Sequence, residues 1–242
     1  MSELTVKYKN HLNAIPMRSF NAKEMDLFFA ICSKMKNKGT DRIIFDFEEL
    51  RGLSDYKKTA TEPFTKDLDN VYTKMLQLTY RIEDEEKITR FVLFNGFEID
   101  KKKSTVEISV NSKFEYILNE ISNEFTQFEL REFTSLSSSY SKTMYRLLKQ
   151  YKNTGYYTVK MEDFREILDI PKSYKMGNID QQILNPVKKE MSQFFDPFKI
   201  KKIKAKKGNK IDRLEFHFVE KEKEETEELP HIPMYNWLEG KK

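Results

Sequence analysis

Apolar residues recur along this chain in two rhythms, one of period two and one of helical spacing, and the order of the rhythms is stated twice. After an extended lead-in over residues 6–17, Asn21 with Glu24 three residues on reads as the capped start of a helix running to about Met35. Its stripe is Met25, Phe28, Phe29, Cys32 and Met35. The pattern then predicts a strand over 42–47, a short helix over Phe47–Leu53 and a longer helix over 62–79, with Pro63 acceptable in its first turn. A hairpin of 80–82 with 88–97 turns at 84–87, and a strand over Thr105–Val110 leads into a closing helix over 112–121.

The second statement starts near Phe125. It predicts helices over 127–136 and 140–152, the latter capped by Ser137 or Ser138 and ended by Gly155. A strand over 156–161, a short helix over 162–168 closed by Pro171, a longer helix over 179–195 and a hairpin of 197–205 with 211–219 follow. Pro186 inside the longer helix predicts a kink or a later start. The stretch from Phe45 to Leu53 is echoed from Val159 to Ile167 at an offset of 114, and Leu68, Val71, Met75, Leu78 recur as Leu184, Val187, Met191, Phe194 at 116. Strand, short helix, longer helix and hairpin is the order of a winged helix-turn-helix. The expected fold class is therefore α+β, with two tandem pseudo-symmetric winged helix-turn-helix domains at 1–122 and 123–219, followed by an acidic linker and tail at 220–242.

Charge sharpens this picture. The formal net charge of +4 divides into −1 over residues 1–124, +8 over 125–219 and −3 over 220–242. A basic module between a neutral one and an acidic tail is the distribution expected of a polyanion binder. Between Phe198 and Ile211 stand Lys199, Lys201, Lys202, Lys204, Lys206, Lys207 and Lys210 with no acidic residue among them, so the second hairpin is expected to contact phosphate. The outward positions of the longer helix and its lead-in, Lys175, Asn178, Gln181, Gln182, Asn185, Lys188 and Lys189, carry the amides and ammonium groups that pair with base edges. In the first copy Lys66 and Lys74 offer a lesser contact. The acidic hairpin tip at Glu83, Asp84, Glu85 and Glu86 would be repelled by phosphate, which assigns the first domain to association and the second to the main DNA contact.

The remaining chemistry is sparse. His11, His217 and His231 are scattered, no phosphate-cradling glycine loop, HExxH or CxxC occurs, and no paired histidines of a nicking enzyme are present, so neither catalytic residues, a metal nor a cofactor is expected. Tyr140 and Tyr145 could serve as nucleophiles in principle, but Tyr145 shares an apolar stripe with Leu148 and reads as core. Cys32 lies in the apolar stripe of its helix and reads as a buried thiol in a reducing compartment. No run reaches the ~20 apolar residues of a membrane span and no signal-peptide core opens the chain, so a cytoplasmic protein without membrane contact is expected.

Residues 7–13 (KYKNHLN), the FNAKEMDLFF run at 20–29 and above all FELREFTSLSSSYSKTMYRLLKQY at 128–151 resemble the initiator Rep proteins of theta-replicating, iteron-containing plasmids. The resemblance spans roughly residues 5–219. It implies two winged-helix domains that bind repeated double-stranded origin DNA, the second making the main major-groove contact. It also implies a dimer in equilibrium with a monomer, repression of the protein's own promoter, and recruitment of a host initiator, helicase or primase. The competing readings are a winged-helix transcriptional repressor on the same scaffold, a rolling-circle nicking enzyme, which the missing histidine pair disfavours, and a protein-interaction module, which the lysine hairpin disfavours. The apolar patch from Pro230 to Leu238 has no assigned role.

Overall fold

A computed structural model of the chain describes residues 4–15, 17, 19–35, 42–57, 60–83, 85–113, 118 and 125–222. The helix expected over 112–121 lies almost wholly outside the described residues, as do Asp84 and the patch from Pro230 to Leu238.

The two halves repeat one topology. In the first, β2 (Ile43–Asp46) leads into α2 (Phe47–Leu53) and α3 (Thr61–Leu76), and the sheet closes with β5 (Phe94–Asp100) and β6 (Thr105–Val110) in the order β2-β6-β5. In the second, β8 (Tyr156–Lys160) leads into α6 (Met161–Ile167) and a longer helix, and β9 (Phe195–Lys204) and β10 (Ile211–Glu220) give the same order, β8-β10-β9. Helices α2 and α6 are each seven residues long and stand at the 114-residue offset of the sequence repeat. Both sheets alternate in and out with period two: Ile43, Phe45, Val106 and Ile108 are buried in the first, Tyr157, Val159, Leu214, Phe216 and Phe218 in the second.

The first half differs by one insertion. Residues 88–97 do not form a single strand but break at the buried Leu93, whose amide donates to Leu78 O at 3.2 Å. The part before the break, β4 (Ile88–Val92), pairs with β3 (Thr79–Glu83) as a separate two-stranded ribbon, and the part after it is β5. The acidic tip thus belongs to an extra ribbon. The element of the first half that corresponds to the second-half hairpin is β5–β6, turning at Lys101, Lys102 and Lys103.

A second correction concerns residues 127–136. They open as a strand, β7 (Phe125–Glu129), before the short α4 (Leu130–Ser135), because Thr126 and Phe128 are buried while Gln127 and Glu129 face outward, the period of a strand. Strand β7 pairs antiparallel with β1 (Thr5–Lys9), setting Val6 opposite Phe128 and Tyr8 opposite Thr126. This pairing crosses the boundary expected at 122/123, so the N-terminal strand is built into the sheet that begins the second half.

Helix α1 (Ala22–Met35) starts with the expected box: Glu24 N donates to Asn21 Oδ1 at 3.0 Å, and Asn21 N donates to Glu24 Oε2 at 2.7 Å. Met25, Phe28, Phe29, Cys32 and Met35 are all buried, and burial pushes the Cys32 thiol well up. Phe29 bridges the halves, with ring centroids 5.8 Å from Phe128 and 4.8 Å from Phe133. Tyr145 joins the same cluster, 5.5 Å from Phe128, as a core aromatic.

The segment of 128–151 that carries the strongest sequence resemblance builds this junction. Ser138 Oγ accepts from Ser141 N at 3.0 Å and starts α5 (Ser139–Gln150). One turn on, Lys142 is fully buried, its Nζ 2.6 Å from Asp26 Oδ1 and 2.7 Å from Phe133 O. Arg146 then reaches Tyr8 Oη at 3.1 Å and Leu12 O at 3.1 Å, and Lys149 pairs with Glu132 at 2.9 Å and with Glu220. Three successive turns of one helix thereby tie α1, β1, α4 and β10 together.

Candidate nucleic-acid interface

The second-half helix is continuous from 176 to 191 but changes gauge along its length. Helix α7 (Met176–Ile179) is followed by a π-helical turn, Asp180–Leu184, and then by α8 (Asn185–Met191). Pro186 is the cause: it has no N–H to give Gln182 O, and the widened turn, in which Asn185 N donates to Asp180 O, absorbs the missing bond. The helix accordingly starts three residues earlier than the apolar spacing predicts and takes up the proline without a break. At the start Lys175 N donates to Asn178 Oδ1 at 3.0 Å, which gives Asn178 a capping role besides its exposure. Ile179, Ile183, Leu184, Val187 and Met191 are buried, whereas Lys175, Asn178, Gln181, Gln182, Asn185, Lys188 and Lys189 stand on the solvent side. Four amides and two lysines thus share the open face of one helix.

Beside it rises the hairpin β9–β10. Lys204 pairs with Ile211, Ala205 N donates to Lys210 O at 2.9 Å, and Gly208 takes φ +85°, so Lys206 and Lys207 sit on a tight, exposed tip. The seven lysines do not share one face. Lys199 and Lys201 stand on the outer face opposite His217 and Glu215, while Phe198, Ile200 and Lys202 line the inner one. Nor are they free of acids: Lys202 Nζ is 2.5 Å from Asp180 Oδ1, and Lys210 lies 4.0 Å from Glu162. Packing supplies the carboxylates that the local sequence lacks.

Further basic residues that the sequence pattern did not single out join this surface. Arg213 and Lys160 are cross-strand neighbours on the outer face, readable from the inward phase of Leu214 and Val159. Lys101, Lys102 and Lys103 form the exposed turn of β5–β6, where Asp100 Oδ1 accepts from the amides of Lys102 and Lys103 at 3.0 and 2.9 Å. The signal was the KKK run between two strands. Of the first-half candidates, Lys66 is exposed on α3 near Lys101, the two lining one groove with Glu62 and Asp69. Lys74 is held by both carboxylate oxygens of Glu24 at 2.6 Å, so its charge is spent inside the fold and not on an open surface. The open face of α3 mixes signs, unlike that of 176–191.

Among the described residues, no group of three or more His, Cys, Asp or Glu is placed to hold a metal ion, and no helix is long and apolar enough to cross a membrane. His217 packs on Tyr156 with centroids 5.0 Å apart. The hydroxyl of Tyr145 is buried, bonded to Glu132 and shifted well above its ordinary range by burial, an environment unsuited to a nucleophile.

Comparison with known proteins places both halves. The family model described as "Initiator Replication protein, WH1" matches residues 5–149, and that described as "Initiator Rep protein, WH2" matches residues 160–218. A probable replication protein rep of Bifidobacterium longum (strain NCC 2705) is 37% identical over 193 residues, covering 78% of this chain. The matched region spans 65% of that relative's length. Among solved structures, the Pi initiator protein in complex with iteron DNA shares the fold with a TM-score of 0.70 at 14% identity, over 92% of this chain and all of that one.

Proposed function

We propose, from the premise that this chain belongs to the initiator replication protein family, that it binds repeated sites in double-stranded plasmid origin DNA and begins replication there. The observation that carries this is the second-half pairing of an amide-and-lysine helix face at 176–191 with a lysine-tipped wing. The helix presents Gln181, Gln182, Asn185, Lys188 and Lys189 to base edges, with Lys175 and Asn178 at its entry. The wing presents Lys199, Lys201, Lys204, Lys206, Lys207 and Lys210 to phosphate. In the first half Lys66 and the turn of Lys101, Lys102 and Lys103 provide a second, weaker phosphate contact, on a different hairpin from the acidic ribbon tip.

The division of labour follows the repeat units 1–122 and 123–219, with the first also carrying self-association. The ribbon β3–β4 supports that role: it is separate from the β2-β6-β5 sheet, bears Glu83, Glu85 and Glu86 at its tip, and exposes Ile88 and Val92. Dimers would repress the chain's own promoter and monomers would start replication with a host initiator, helicase or primase, without catalysis by the chain itself.

Footprinting of the full chain on the origin region of its own replicon tests the proposal. The expected result is protection of several like-sequence repeats at regular spacing, with local melting beside them. Protection of a single promoter site without melting favours a repressor instead. Uniform protection at all concentrations contradicts sequence reading altogether.

A further inference from the structure

Among the described residues, Lys202 is the hairpin lysine whose charge is neutralised by the helix it stands beside. Along the inner face of β9, Phe198 is buried, Ile200 is half-buried, and the next residue on that face, Lys202, reaches Asp180 at 2.5 Å. On β9 the apolar positions of this face end at Ile200, and the Lys202–Asp180 pair follows them as the ion pair that links this strand to the reading helix; nearer the tip, Ile211 of β10 packs on the core and Lys210 lies 4.0 Å from Glu162. Asp180 sits at the first position of the π-helical turn, next to Gln181 and Gln182, and its own carbonyl accepts from Asn185 N. The carboxylate is 31% exposed and the ammonium 38%, so the pair is worth little to stability. Its effect is on position and charge. An unpaired carboxylate beside the base-reading amides would repel the phosphate backbone, and β9, which pairs only with β10, would lose its ion-pair link to the reading helix.

We propose that Lys202 and Asp180 form a brace that sets the wing's angle to the reading helix, making both residues determinants of sequence specificity without contact to DNA. This rests on the DNA-reading proposal above. The test uses the full chain, a duplex carrying the sequence it selects from a random pool, and a scrambled duplex, with affinity measured over a range of salt.

Lys202→Gln and Asp180→Asn should each lower the ratio of selected to scrambled binding by about tenfold. Lys202→Gln should leave the log–log salt slope unchanged, because this ammonium is not on a phosphate. The exchange Asp180→Lys with Lys202→Asp should restore the ratio to within about twofold, since the brace is rebuilt with its ends swapped. A Lys202→Gln slope lower by about 0.9 with an unchanged ratio would make Lys202 a phosphate contact and overturn the brace. An exchanged variant with unaltered circular dichroism and melting that fails to regain the ratio overturns it as well. A wild-type chain that selects no sequence overturns instead the DNA-reading proposal on which the brace stands.

Discussion

Replacing Lys204, Lys206, Lys207 and Lys210 with glutamine will flatten the log–log dependence of DNA affinity on salt by about 3 to 4 units, roughly 0.9 for each phosphate left without its lysine. These four lie at and around the wing tip, exposed and beyond the reach of the core. Like charges set this close repel one another, and a phosphate strand relieves that repulsion as its condensed counterions are released. Affinity for selected and scrambled duplexes should fall together, because phosphate contacts carry no base information. Lys210, near Glu162, should account for the smallest share. A slope that stays at the wild-type value would remove the wing from the interface.

The largest effect on stability is expected at the junction of the halves. Lys142→Met will destabilise the fold by about 3–5 kcal/mol, since it strands Asp26, which is 1% exposed, without its buried partner. Adding Asp26→Leu should recover most of that stability, because the cost arises from a buried carboxylate left with only the half-exposed Lys23 at 3.5 Å and not from missing attraction. Urea denaturation of the two variants checks this: equal destabilisation by single and double substitution would contradict it. A pH dependence accompanies the pair. Burial lifts the Asp26 carboxyl to about 6 from 3.8 against the opposing pull of Lys142, and burial lowers the Lys142 ammonium. Between those pH values the folded chain holds a proton at Asp26 that the unfolded chain has released, so this group weakens the fold as pH rises from about 4 to 6. The double variant should lack that component of the pH profile.

Much of the fold was legible in the sequence because local signals agree with global ones. The Asn21–Glu24 box, the Ser138 cap, and the duplicated seven-residue helices at Phe47–Leu53 and Met161–Ile167 all stand where their chemistry places them. The misreadings share a cause. Residues 127–136 mix a strand's alternation with a helix's spacing, and only the partner strand β1, more than 100 residues away, decides between them. The first hairpin after α3 looked like a wing because an inserted ribbon stands where the second half has none, and this hid Lys101, Lys102 and Lys103. Lys74 and Lys202 read as free cations, and the carboxylates of Glu24 and Asp180 that hold them become neighbours only through packing. The face of 176–191 was readable despite Pro186, since the π-helical turn keeps Gln181 and Gln182 outward while Ile183 and Leu184 turn in.

The most direct test of the central claim, that this face reads sequence, is equilibrium competition with single-base-pair variants of the selected site, using Gln181→Ala, Gln182→Ala and Lys188→Ala. Each variant should lose discrimination at its own one or two base pairs, by about 1–3 kcal/mol where a bidentate pairing is removed, and keep the wild-type preference elsewhere. An equal drop in affinity for selected and scrambled DNA in all three would contradict it, reducing the helix to a support for a sequence-blind wing.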